Sequence, residues 1–211
     1  MSKEDLIKRY FAFFEKDLLP RIEASGLALQ KKDGWQGLGT HTKGVVFRSI
    51  DYALSINKNP IPVIFAAALH DIAKTTTSEI GHGKNALPIA KKIMLSYSEI
   101  LSPKQQEAIL YAIENHTNGT NPPDYICACL WDADRTRVAW VMGYQESYFY
   151  TKRAKEVATK DAEEYMAYQN KCLQETKKDP ELILEYRQKF RNFKYQQLIR
   201  VLKNALSKQE R

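Results

Sequence analysis

The 211-residue sequence has no run of 18 uncharged apolar residues, so nothing in it reads as a membrane span. Its opening, Met1-Ser2-Lys3-Glu4-Asp5, has no apolar signal-peptide core, and a cytoplasmic protein is expected. Cysteine is scarce: Cys127, Cys129 and Cys172 form an odd set, and Cys127-Ala128-Cys129 is not a zinc-knuckle spacing. All three read as reduced thiols. A Walker-type glycine loop, a Gly-x-Ser-x-Gly elbow and a His-Glu-x-x-His pair are absent, which excludes P-loop, serine-hydrolase and zinc-protease chemistry. Strand signals are weak as well. Alternation is rarely strict, and no Asn-Gly or Asp-Gly turn lies between β-branched runs.

What is present suits an all-α globular chain. A hydrophobic share of 44% with 27% charged residues is ordinary for a protein with a packed core. The length allows one good-sized domain, or one with an appendage. The formal net charge is +7, and residues 150–211 hold 15 Lys and Arg against 9 Asp and Glu. A solvated, charge-mixed helix explains that excess as well as an anionic partner does. With no nucleic-acid motif beside it, nucleic acid is not expected as the partner.

Helical periodicity runs through residues 4–25, where Leu6, Tyr10, Phe13 and Phe14, Leu18 and Ile22 recur, with Pro20 placed to kink or divide the helix. Residues 26–40 hold Gly26, Gly34, Gly37 and Gly39 and read as a loop. His41 then opens a helix to about Ile56, with Val45, Val46, Ile50, Ala53 and Leu54 on its apolar face. After the Asn57–Pro60 turn a helix is expected from about Ile61 to Ala73. A polar loop, Thr75 to Gly83, carries His82, and a helix over 84–97 follows, in which Pro88 is tolerable only near the start. Ser102-Pro103-Lys104-Gln105 is a capped helix start, and that helix ends near His116. The next helix, about 124–142, carries Asp132 and Asp134 and stops at Gly143. Tyr144, Tyr148, Phe149 and Tyr150 form an aromatic knot, read as a core seam or a pocket wall. Phe11, Phe13, Phe14, Trp131 and Trp140 read as core. Two charged helices, about 152–176 and 180–207, end the chain.

The chemistry centres on Ala66-Ala67-Ala68-Leu69-His70-Asp71-Ile72-Ala73-Lys74. His70 and Asp71 are adjacent, so on a helix they project about 100° apart and can meet one ion only in the angle between them. Imidazole and carboxylate suit Mn, Fe, Zn, Ni or Mg rather than soft Cu(I). Alone, the pair is as readily a helix-terminal histidine beside a solvated acid. The chain has only four histidines, however: His41, His70, His82 and His116. Each falls at a helix end or in an adjoining loop, and none lies after residue 150.

In order, these residues and the late aspartates read H…HD…H…H…D. The pieces His41-Thr42-Lys43-Gly44-Val45, His70-Asp71-Ile72-Ala73-Lys74, Gly81-His82-Gly83, Glu114-Asn115-His116 and Asp132-Ala133-Asp134-Arg135 resemble the HD-domain metal-dependent phosphohydrolase superfamily. The resemblance spans residues 41–135. It implies an HD-domain-like helical bundle over 1–150, with residues 151–211 a basic helical extension packed on the same domain. It implies further that His41, His70, Asp71 and a late aspartate hold one divalent metal. Family members usually place that ligand directly before a basic residue, which favours Asp134 over Asp132. Asp132 would then cap, or orient a histidine. His82 and His116 match positions that hold a second ion with Asp71 bridging, or that contact substrate phosphate. Against that, His82 is also a polar loop residue between glycines, and His116 a helix-terminal histidine favoured by the macrodipole.

The implied activity is metal-dependent hydrolysis of a nucleotide or another small phosphoester. One or two divalent ions (Mn, Fe, Mg, Zn or Ni) would serve, with Asp71, Lys74 and Arg135 as catalytic candidates and Lys43 and Arg48 as weaker ones. Two alternatives stay open: a di-iron HD-like oxygenase, and a non-catalytic nucleotide-sensing or interaction module.

Overall fold

The computed structural model describes residues 1–24, 38–74, 81–136, 146–176, 179, 181–182 and 185. Its elements, in chain order, are α1 (Lys3–Phe13), a single π turn (Phe14–Leu18), α2 (Leu19–Ala24), α3 (Leu38–Ser55), α4 (Pro60–Leu69), α5 (His82–Leu95), α6 (Pro103–Asn115), α7 (Tyr125–Thr136), a short 3-10 turn (Glu146–Tyr148) and α8 (Lys152–Glu175). No strand occurs among the described residues, and the all-α expectation holds. The expected stop at Gly143, Tyr144, Trp140 and most of the expected helix over 180–207 lie outside the described residues.

The chain divides into two compact units. The first is Met1–Val138 with Gln145–Lys155, and the second is Ala139–Tyr144 with Glu156–Arg211. In the second unit the described residues are mainly the C-terminal part of α8, where Ala158, Asp161 and Cys172 are buried. The site lies within the first.

The middle of the first unit is α4, which packs against α3, α6 and α7. Its sequence, Pro60-Ile61-Pro62-Val63-Ile64-Phe65-Ala66-Ala67-Ala68-Leu69, has almost no polar side, and from Pro62 to Leu69 every residue is buried. A helix apolar all round has no stable home except inside other helices. Each of Val63, Ile64, Phe65 and Leu69 contributes about 1.5–3 kcal/mol by leaving water. The three alanines let neighbouring helices come close.

α3 and α4 form a hairpin with a tight corner. Lys58 N–H bonds Ala53 O at 2.9 Å and Asn57 N–H bonds Leu54 O at 3.2 Å, which closes α3. Asn57 takes the left-handed conformation this needs, with φ 54°. Asn59 then caps α4, its side chain accepting from Ile61 N at 3.0 Å, with Pro60 in the first turn where no N–H is needed. The hairpin brings the start of α3 beside the end of α4. α5 and α6 form a second hairpin, and α6 opens on the expected Ser102/Gln105 capping box.

The expected division of the first helix at Pro20 is met, and three other local expectations need correction. The chain widens into the π turn, with Leu19 N–H reaching back to Phe14 O, immediately before Pro20. Pro20 has no N–H and its ring crowds the carbonyl four residues back, so the turn before it opens. The α3 helix begins at Leu38 rather than at His41. α4 stops at Leu69, and His70–Ala73 continue as tight turns, Ile72 N–H to Leu69 O and Lys74 N–H to Asp71 O. α5 starts at His82, so Pro88 sits inside the helix; both Pro88 and Lys84, whose carbonyl it leaves unpaired, face solvent.

The α3–α4 corner makes a testable demand on residue 57. Asn57→Val is expected to cost about 1–2 kcal/mol, because a β-branched side chain resists the left-handed conformation. Asn57→Gly is expected to be neutral or stabilising. Urea denaturation of the two variants measures both.

Candidate metal centre

The two hairpins deliver the four histidines in matched pairs. His41, in the first turn of α3, meets His70, the residue capping α4; their Nε2 atoms are 3.1 Å apart. His82, the first residue of α5, meets His116, which caps α6, with Nε2 atoms 2.8 Å apart. In each pair the second histidine is anchored by its other nitrogen. His70 Nδ1 lies 2.8 Å from Ala67 O, and His116 Nδ1 lies 2.7 Å from Ile113 O. The last carbonyls of a helix have no partner within it, so each ring N–H satisfies one of them. That contact places a proton on Nδ1 and turns Nε2 toward the cluster.

Asp71 sits between the pairs. Its Oδ2 is 3.3 Å from His41 Nε2 and 3.5 Å from His70 Nε2. Its Oδ1 is 3.0 Å from His82 Nε2 and 3.5 Å from His116 Nε2, yet accepts no aligned hydrogen bond. Asp134, from α7, joins the first pair: its Oδ1 is 3.2 Å from His41 Nε2 and 3.8 Å from His70 Nε2. Lys74 Nζ lies 3.6 Å from Asp71 Oδ2. His70, Asp71, His82 and His116 are buried, whereas the side chains of His41, Asp134 and Lys74 are 22%, 26% and 34% exposed. The cluster therefore opens on the side of those three.

Burial pushes the His70 imidazolium pKa down to about 4, against the opposing pull of Asp71 and Asp134, so the ring is neutral at pH 7. Burial alone would raise Asp71, but His70, with His116, His41 and His82, outweighs it and holds the carboxyl far below the usual range. Asp134 is likewise lowered, by His41 and His70 against burial. At pH 7 the centre is two carboxylates among imidazoles. Asp71 Oδ1 is buried 3.0 Å from His82 Nε2 and 3.5 Å from His116 Nε2 without an aligned hydrogen bond, a setting in which a cation between them would pair it. The donor set fits a divalent metal. Among the described residues, three overlapping groups could hold one: His41, His70 and Asp71; His70, His116 and Asp134; and Asp71, His82 and His116.

The two late aspartates part company. Asp132 is fully buried and turns away from the histidines, accepting Tyr150 N–H at 2.9 Å and Thr151 N–H at 2.7 Å. Thr151 Oγ1 in turn accepts Ala154 N–H, so Asp132 fastens the start of α8. Burial raises its pKa against those bonds. Arg135 is directed elsewhere too. Its guanidinium donates to Gly119 O, to Tyr150 Oη at 3.0 Å and to Tyr148 O at 3.3 Å, and no described contact joins it to the histidines, Asp71 or Asp134. Lys43 pairs with Glu15 at 2.9 Å.

Gly83 is a position the sequence reading passed over. A Cβ there would lie 2.6 Å from Ile113 O and 3.3 Å from His116 Nδ1, so only glycine lets α5 start against the end of α6. The signal was available in Gly81-His82-Gly83. Gly81 adopts the left-handed conformation, φ 77°, but Gly83 is needed for space. His82 belongs to the helix this creates, not to the preceding loop.

Residues 38–139 match the family model for the HD domain. This stretch is an HD domain. Most members of that family are metal-dependent hydrolases. No curated protein and no solved structure matches the chain. All six side chains of the cluster fall inside the matched stretch of this HD domain, while Tyr148, Tyr150 and Thr151 fall outside it.

Two substitutions separate the cluster from its supports. Gly83→Ala is expected to push His82 off His116 and weaken divalent-metal binding by about 10–100-fold, as loss of ligand orientation does elsewhere; Mn(II) titration calorimetry measures it. Asp132→Ala is expected to strand two backbone N–H groups and cost about 2–4 kcal/mol of stability, read by urea denaturation.

Proposed function

We propose that this HD domain hydrolyses a phosphoester bond in a nucleotide or another small phosphorylated molecule, in the cytoplasm, with two divalent ions sharing Asp71. The observation that carries this reading is the division of Asp71, one oxygen turned to His41 and His70 and the other to His82 and His116. His41, His70, Asp71 and Asp134 would hold one ion, and Asp71, His82 and His116 the other. When bound, a divalent pair lowers the pKa of water and clamps the attacking and leaving oxygens of a phosphoryl group.

The chain's own residues supply the rest. The apolar end of α4 excludes water behind His70, which strengthens electrostatic interactions at the centre. His41, Asp134 and Lys74 form the accessible rim, so substrate approaches there. Lys74 adds positive charge at that rim, where a phosphoryl group keeps its negative oxygens. Residues 1–150 carry this chemistry, and 151–211 are a basic helical extension to it.

A folded Asp71→Ala protein is expected to lose bound metal and phosphoester turnover together. Elemental analysis and a screen over nucleotides and sugar phosphates measure both, and full turnover in that variant would exclude the reading. Four imidazoles with two carboxylates also suit iron, which favours a second reading as a di-iron oxygenase. Oxygen consumption by anaerobically purified, iron-loaded protein, without phosphate release, would select it. Ligand binding without turnover under every metal would select the sensing module.

A further inference from the structure

Arg135 directly follows Asp134 on α7, yet its guanidinium is spent on the protein. It donates to Gly119 O, Tyr150 Oη and Tyr148 O, and lies over the rings of Tyr150 and Trp131, 5.4 Å and 5.8 Å from their centres. Tyr150 Oη passes the connection on to Thr120 O at 2.6 Å. Gly119 N–H bonds Asn115 O at 2.7 Å and so closes the end of α6, where His116 sits. A turn back along α7, Trp131 Nε1 donates to Ala112 O at 3.0 Å. Gly119 lets the Trp131 ring approach, since a Cβ there would fall 2.3 Å from it.

These contacts join the backbone beside Asp134 to the backbone beside His116. Asp134 stands with the His41 and His70 half of the cluster, and His116 with the His82 half. We propose that Arg135, with Tyr150 and Gly119, is a positioning clasp that sets the spacing between the two halves of the metal centre, so that two ions can share Asp71. The proposal rests on the two-ion reading above. It removes Arg135 from the candidates for touching substrate: a guanidinium bonded to three protein oxygens and lying over two aromatic rings is held as a strut. It also gives a role to Tyr150, which lies outside the family match.

The test uses the full chain titrated with Mn(II), followed by calorimetry and by electron paramagnetic resonance, where two ions sharing a carboxylate give an exchange-coupled signal. The wild type is expected to bind two ions and show that signal. Arg135→Met is expected to keep the first ion, bind the second at least about tenfold more weakly, and show isolated-ion lines in place of the coupled signal. Arg135→Lys, which restores charge but not the fork, is expected to recover only part of it. If circular dichroism shows Arg135→Met unfolded, Tyr150→Phe decides: it keeps the ring, removes only the hydroxyl, and is expected to weaken the second ion selectively. Wild-type stoichiometry and coupling in the folded variants would overturn the clasp while leaving the two-ion reading intact. Lowered melting temperature with unchanged coupling would do the same. A wild type that binds a single ion would overturn both.

Discussion

The carboxylate of Asp71 lies inside the protein with almost no water around it, and it is charged at neutral pH. Taking such a charge out of water costs several kcal/mol unless the surroundings return it. Ordinary compensation would be an arginine or a set of backbone N–H groups. Here the surroundings are imidazole nitrogens, and the anchoring of His70 and His116 through Nδ1 turns their Nε2 atoms toward the acid. Lys74 gives one oxygen a cationic neighbour at 3.6 Å, while Oδ1 is left among nitrogens without an aligned bond. Oδ1 stands where a cation would pair it, and the elements around the centre are arranged about that place.

Helix ends are what make the arrangement possible. Four of the six side chains stand at a terminus: the first turn of α3, the cap of α4, the start of α5 and the cap of α6. Each hairpin returns the chain to the level it left, so the N-terminus of one helix and the C-terminus of the next meet. The unpaired carbonyls of α4 and α6 then orient a histidine each. Two separate hairpins thus use the same device, and Asp71, directly after the residue that caps α4, is the part they share.

The outer contacts serve this geometry from a distance. Asp132 ties α7 to the segment that leads into α8, and Arg135 ties it to the end of α6. Both flank Asp134 on the same helix. The residues that hold the frame and the residues that face the cluster therefore alternate within Asp132-Ala133-Asp134-Arg135, and a change in one is transmitted to its neighbour through a few bonds.

Much of this was legible beforehand, and the reasons differ from element to element. The unbroken apolar run before His70 permits nothing but an enclosed helix, and Ser102-Pro103-Lys104-Gln105 states its own cap. The order of the histidines and aspartates singled out the side chains that meet. Other features depended on neighbours the sequence does not name. The π turn before Pro20 and the length of α5 follow from how carbonyls are satisfied locally, and the need for glycine at 83 follows from the carbonyl of Ile113 across the hairpin. Asp132 and Asp134, two residues apart on a helix, point about 200° apart, so the sequence determined that they could not do the same work. Which of them faces the histidines, and that Arg135 turns from them, was decided by the packing of α7 against α3, α4 and α6, because a helix carries its side chains at fixed angles but its rotation is set by what it packs against.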